Sequence, residues 1–186
     1  NIQFRMHPLI AEFPNQEFYD GLITNVEGIL ERTATNLNSI PTPIIFIDVE
    51  NGKERRMNKE KSFFNYEEAN EVEKIVNNLK FNGINGNEIG VITPYFAQAN
   101  IIRKKVSNFN GIKVSSVDNF QGSERDFIIL SLVRTNEESN FGFVSDEKRL
   151  NVALTRARKG LIIIGNYDSI ESSLHEKNCF LRDLCH

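Results

Sequence analysis

The sequence is poor in the features that would place it in several large classes. It has two cysteines, Cys179 and Cys185, in 186 residues, which excludes a disulfide scaffold. Reduced thiols fit an intracellular protein, cytoplasmic or nuclear. The three histidines, His7, His175 and His186, share no metal-ligand spacing with those cysteines, so no metal site is expected. No apolar run approaches the length of a membrane span, and no membrane association is expected. The chain opens abruptly on NIQFRMHP, without an initiating Met or a targeting segment, as a fragment of a longer protein would. A basic excess is also lacking: Lys and Arg number 22 against 25 Asp and Glu, for a net charge of −3. That balance argues against a general polyanion-binding module, while local strips such as Lys53–Arg55–Arg56–Lys59–Lys61 and Arg103–Lys104–Lys105 remain available. There is no G-x-x-x-x-G-K-[ST] phosphate loop, no dinucleotide fingerprint, no nucleophile–base pair and no internal repeat.

What is present is an ordinary globular composition, 40% apolar and 25% charged, of a length suited to one domain with a sizeable core. Short apolar runs at 44–49 (IIFIDV), 89–93 (IGVIT), 113–117, 127–133 (FIILSLV) and 161–165 (LIIIG) read as strands. Between them, Pro8 to about Phe18, Tyr66 to Leu79 and Ala97 to Val106 read as helices, and Glu171 to Leu184 as a terminal one. Residues 25–42 show no clear period and read as loop. Strands apolar throughout, alternating with helices, predict a parallel sheet covered on both faces. In such a sheet ligands sit at the carboxyl ends of the strands, where Pro94-Tyr95, Asp118 to Glu124 and Arg134 fall.

Three segments carry chemistry. The run 146–159, DEKRLNVALTRARK, reads as one helix capped by Asp146, with Arg149 and Arg156 two turns apart on one face and Leu150, Leu154 and Ala157 on another. A docked helix with guanidinium groups at its side suits the neutralisation of a phosphate gaining charge. In the segment 114–126, VSSVDNFQGSERD, Gly122 permits close backbone approach, Gln121 supplies an amide, and Glu124 accepts hydrogen bonds from hydroxyls. Ser115 and Ser116 are donors for a nucleic-acid phosphate. In QFRMHP, Arg5 offers a second cationic fork, and Phe4 an apolar plate for a base.

QFRMHPLIAEFPNQEFYDG, VITPYFAQ, VSSVDNFQGSERDFIILSLVRTN and GFVSDEKRLNVALTRARKGLIIIGN occur in that order. Together they resemble the second RecA-like lobe of a superfamily 1 helicase, nearest the group that includes the nonsense-mediated-decay helicase (regulator of nonsense transcripts 1) and senataxin. The resemblance implies an α/β, RecA-like P-loop NTPase-type three-layer domain over residues 1–186, with a mainly parallel sheet. It implies ATP as the nucleotide, Mg2+ held by a first RecA-like lobe outside this sequence, single-stranded RNA or DNA as the track, and a monomer. By its motifs, Arg156 is the arginine finger and Arg5 the γ-phosphate contact. Glu124 holds the ribose, with Gln121 and Gly122 beside the phosphates. Phe4 stands where the nonsense-decay type has a Tyr that stacks on adenine. Thr93, Pro94 and Tyr95 track the nucleic-acid backbone, together with Ser115, Ser116 and Asp118. The alternative reading is a lobe that clamps nucleic acid or a partner without productive ATP hydrolysis.

Overall fold

The computed structural model describes residues 1–33, 42–57, 62–135 and 146–172. In chain order the elements are β1 (Ile2–Gln3), α1 (Pro8–Tyr19), β2 (Thr24–Asn25), α2 (Ile29–Thr33), β3 (Ile44–Asp48), β4 (Arg55–Arg56), β5 (Phe63–Phe64), α3 (Tyr66–Phe81), β6 (Ile89–Ile92), α4 (Phe96–Lys105), β7 (Lys113–Ser115), α5 (Val117–Phe120), β8 (Arg125–Ser131), α6 (Glu147–Leu154), β9 (Ala157–Gly165) and α7 (Tyr167–Ser172). Five strands form one sheet in the order β3-β9-β8-β6-β7, every neighbouring pair parallel. Two small pairs, parallel β1-β2 and antiparallel β4-β5, lie outside it.

The sheet is parallel because its strands can be apolar on both faces. Ile128, Leu130, Leu161 and Ile163 point into a core shared with Ile10, Leu150, Leu154 and Phe120 from α1, α6 and α5. Their neighbours Phe127, Ile129, Ile162 and Ile164 point into a second core with Val72, Val76 and Leu79 of α3 and Ile102 of α4. The three-layer α/β class expected from the sequence is therefore the class observed. Gly90 in β6 lies where the first core packs closely against the sheet. A Cβ there would lie 2.6 Å from the Phe120 ring and 2.8 Å from Ile128.

Local signals account for most helix starts. His7 precedes Pro8 at the first turn of α1, and its Nδ1 accepts the Leu9 N–H at 3.2 Å. Asn65 caps α3 by accepting the Glu68 N–H at 3.1 Å, and Asp146 caps α6 through the Arg149 N–H at 3.1 Å. Two expectations need correction. The loop expected over 25–42 contains α2, whose Ile29 is buried. The single helix expected over 146–159 is two elements. α6 ends at Leu154, and from Ala157 the chain is already β9. Ala157 pairs with Arg125 of β8, so tertiary pairing overrides a run that reads as the basic end of a helix. The terminal helix expected at 171–184 lies almost wholly outside the described residues.

At the carboxyl end of β8 a polar network is sealed inside the second core. The Glu68 carboxylate is fully buried and accepts the Ser131 hydroxyl at 2.7 Å and the Val133 N–H at 2.9 Å. The Gln98 amide donates to Ser131 Oγ and to the Asn65 carbonyl, both at 3.0 Å, and its Oε1 accepts the Asn65 N–H at 2.9 Å. Val133 sits at φ +75°, a left-handed conformation that strains a β-branched residue.

Two outcomes follow from this packing. Gly90→Ala overfills the space under Phe120 and costs about 1–3 kcal/mol, measurable by denaturant unfolding. Burial pushes the Glu68 carboxyl from 4.5 up to about 8, against the opposing pull of its bonds to Ser131 and Val133. In the unfolded chain Glu68 loses its proton first, so its contribution to stability is complete below pH 4.5 and falls away as pH rises through about 8. Glu68→Gln, which carries no titratable proton, removes that downward slope from the pH–stability curve.

Candidate functional site

Because all five strands run the same way, the sheet has one amino edge and one carboxyl edge, and the candidate residues divide between them. At the amino edge, β8 and β9 begin side by side, with the Arg125 N–H donating to the Arg156 carbonyl at 3.1 Å. This places Glu124 and Arg156, each one residue ahead of its strand, next to each other. Arg5 joins them from the chain terminus: the His7 N–H donates to the Arg158 carbonyl at 2.7 Å and fastens the QFRMHP segment to the start of β9.

The three groups converge. Arg5 Nε lies 2.5 Å from Glu124 Oε2, and its Nη1 donates to the Thr155 carbonyl at 3.3 Å. Arg156 Nε donates to the Val152 carbonyl at 3.0 Å, and its Nη1 reaches the Ser123 carbonyl at 3.5 Å. Burial lowers the Arg156 pKa, the nearby Arg5 lowers it further, and Glu124 partly opposes them. Arg158 adds a third guanidinium, its Nε 3.4 Å from Glu124 and its Nη1 3.7 Å from Asp126. Lys159 holds Asp126 at 2.8 Å. One carboxylate thus stands among three guanidinium groups, an arrangement with positive charge left over for an anion. Gly122, at φ +74°, has open space where a Cβ would project, and Phe4 is 64% exposed. Gln121 is exposed beside it. These features fit a nucleotide with its base, ribose and phosphates.

The site lies at the amino edge, not at the carboxyl ends of the strands where the sequence placed it. The reason is α5. From Ser115 at the end of β7 the chain crosses one face of the sheet, Phe120 packing against Gly90, and reaches the start of β8 within ten residues. Lys113 pins the crossing, with Nζ 2.6 Å from Ser123 Oγ and 4.7 Å from the Phe120 ring centroid. A second correction concerns Arg149. It does not share a face with Arg156, which has left the helix, but pairs with Asp118 at 3.2 Å and with Asp146 at 3.5 Å.

The other candidates gather at the carboxyl edge. Thr93, Pro94 and Tyr95 follow β6, and Ser115 and Ser116 close β7. Pro94, Tyr95 and Ser116 are partly exposed and Asp118 is exposed. Thr93 and Ser115 are buried: Ser115 Oγ donates to the Ser116 carbonyl at 3.0 Å, and Thr93 Oγ1 has no hydrogen-bond partner among the described residues. Neither presents its hydroxyl at the surface in this structure. Sequence reasoning left the role of 25–65 open and missed what this segment does. Glu54 accepts Arg134 Nε and the Thr135 N–H, both at 2.9 Å, and the Glu54 N–H donates to Thr135 Oγ1 at 2.9 Å. Arg134 also donates to Tyr95 Oη at 3.4 Å and lies 4.3 Å from the Phe63 ring centroid, while Phe63 meets Tyr95 edge-on at 5.5 Å. Burial works against the Arg134 charge, but its bonds to Tyr95 and Glu54 outweigh that and raise its pKa. The signal for this cluster was Arg134 directly after a strand, although its partners Glu54 and Phe63 had no readable link to it.

Among the described residues there is no group of three or more His, Cys, Asp or Glu side chains placed to hold a metal ion. Nor is any helix there long and apolar enough to cross a membrane. Cys179, Cys185, His175 and His186 lie outside those residues.

The comparisons with known proteins agree on one lineage. The model of a family described as an AAA domain matches residues 1–168. The regulator of nonsense transcripts 1 homolog of Arabidopsis thaliana is 43% identical over 176 residues, which cover 89% of this chain and 14% of that protein. The ATP-dependent helicase NAM7 of Saccharomyces cerevisiae is 41% identical over 182 residues, covering 91% of this chain and 18% of that protein. The ATP-dependent helicase upf1 of Schizosaccharomyces pombe is 40% identical over 177 residues, covering 89% and 19%. The chain thus spans less than a fifth of the length of these relatives. The crystal structure of the PRRSV nsp10 helicase overlaps 93% of this chain and 25% of its own, at 14% identity and a TM-score of 0.42, too slight a likeness to carry an argument. On the family match and these identities, the chain belongs to the AAA domain family and is similar, within it, to the superfamily 1 helicases of the regulator of nonsense transcripts 1 group.

Proposed function

We propose that this chain is the second motor lobe of an ATP-dependent helicase acting on single-stranded RNA or DNA, with a role in RNA surveillance or transcription termination; the relatives named regulators of nonsense transcripts support the first. The observation that carries the reading is the convergence of Arg5 and Arg156 on the amino edge around Glu124. Two guanidinium groups this close repel each other, and one carboxylate shared with Arg158 does not balance them. A triphosphate presented by a first lobe of the same protein would.

Each residue then has a physical task. Arg156 is held by backbone carbonyls rather than by a carboxylate, which leaves its charge available for the phosphate that gains charge in transfer. Arg5 orients the terminal phosphate. On nucleotide entry it exchanges Glu124 for phosphate oxygens, and Glu124 turns to the ribose hydroxyls. Phe4 supplies a ring face for the base, and Gln121 and Gly122 let the backbone approach. Mg2+, when bound, screens the phosphates, and its ligands belong to the first lobe. The opposite edge, with Pro94, Tyr95, Ser116 and Asp118, faces the nucleic-acid strand, and Thr93 and Ser115 support it from below. Closing and opening of the two lobes around the γ-phosphate would move the strand.

In the intact protein, Arg156→Ala lowers the nucleic-acid-stimulated ATPase rate on the order of a thousandfold while nucleotide binding largely survives. Equal loss of binding and rate would assign Arg156 to the ground state and favour the clamp reading. The 186-residue chain by itself hydrolyses no ATP at a measurable rate, because it lacks a phosphate loop; a robust rate from that chain overturns the assignment of the lobe.

A further inference from the structure

The buried network and the Arg134 cluster, described separately above, are joined end to end. Glu68 holds the Val133 N–H with both carboxylate oxygens, at 2.9 Å each. Val133 is at φ +75°, the left-handed region that a β-branched side chain resists. The next residue is Arg134, whose guanidinium lies against Phe63, reaches Tyr95 Oη and is fixed by Glu54. The turn at Val133 decides where Arg134 leaves the sheet. Without it β8 would run on, and Arg134 would not lie across the end of β6 where Tyr95 stands. The strained turn needs a strong interaction to hold it, and among the described residues the group bonding the Val133 N–H is the Glu68 carboxyl group on α3. Asn65 Nδ2, 3.4 Å from the Val133 carbonyl, holds the other side of the same residue.

We infer that Glu68, Val133 and Arg134 form a positioning relay that sets Tyr95 for the nucleic-acid strand, with Glu68 a positioning residue 65 positions away in sequence from the turn it holds. This rests on the proposed nucleic-acid edge and deepens it. Glu68 does not reach the nucleic acid itself. It supplies the restraint, Arg134 transmits it, and Tyr95 makes the contact. The link also runs through α4: Gln98, in the helix that follows Tyr95, bonds both Ser131 and Asn65, so that helix is tied through Ser131 to the same carboxyl group.

The test uses the intact protein and measures ATPase rate against concentration of oligouridine and, separately, oligodeoxythymidine. Glu68→Ala, which removes the acceptor, raises the half-saturating concentration roughly tenfold and leaves the saturated rate within about twofold, the size expected when a strained turn loses its restraint. Ser131→Ala loosens the Glu68 carboxyl group without removing it and shifts half-saturation the same way by about threefold, which carries the test if Glu68→Ala does not fold. Glycine takes φ +75° without strain, so adding Val133→Gly to Glu68→Ala restores half-saturation towards the wild type. A purely structural role would lower the saturated rate and the melting temperature together, with no such restoration, and that result overturns the relay. Unchanged half-saturation in Glu68→Ala and Ser131→Ala overturns it as well, provided the wild type responds to an oligonucleotide. A wild type unmoved by both oligonucleotides overturns the reading of that edge and the relay with it.

Discussion

The common direction of five strands governs where everything in this chain can stand. A parallel sheet covered on both faces has only two edges open to ligands, and each strand enters at one and leaves at the other. Residues just before β8 and β9 therefore meet each other, as Glu124 and Arg156 do, and never meet residues just after β6 and β8, such as Tyr95 and Arg134. The molecule separates two chemistries by the length of its own strands. Positive charge gathers around one carboxylate at one edge, while aromatic rings and a balanced Arg–Glu pair occupy the other.

Much of this was legible in the residues, and the failures have physical causes. Uniformly apolar strands announced the covered parallel sheet, and the helical spacing of Ala69, Val72, Ile75, Val76 and Leu79 announced α3. Arg5, Glu124 and Arg156 were named in advance, and the structure brings them together. The helix at 146–159 was overextended because Arg-Ala-Arg-Lys carries the charges of a helix end, whereas pairing with β8 claims Ala157 for the sheet. The amino-edge placement was missed because a general rule for ligands in parallel sheets was applied to a segment that crosses the whole face. Strand order itself left no trace in local pattern.

The buried network was missed for a subtler reason. Glu68 lies four residues before Val72 and Gln98 four before Ile102, so both occupy the inward stripe of their helices. A polar residue on an apolar stripe is a signal, and here it marks a carboxylate spent on holding backbone rather than a surface charge. The energetic logic is consistent. A buried carboxyl group without partners would be destabilising, but this one meets a hydroxyl and the N–H of a strained residue, and it repays burial by fixing a turn that no local preference favours.

The crossing by α5 carries a mechanical consequence. Nine residues, one helical turn among them, link the end of β7 to the start of β8 across the full height of the sheet, with Phe120 wedged over Gly90 and Lys113 bracing the far side. Such a strut has no slack. A displacement of Ser116 at one rim cannot be taken up within the span, and arrives at Glu124 on the other as a push or a pull.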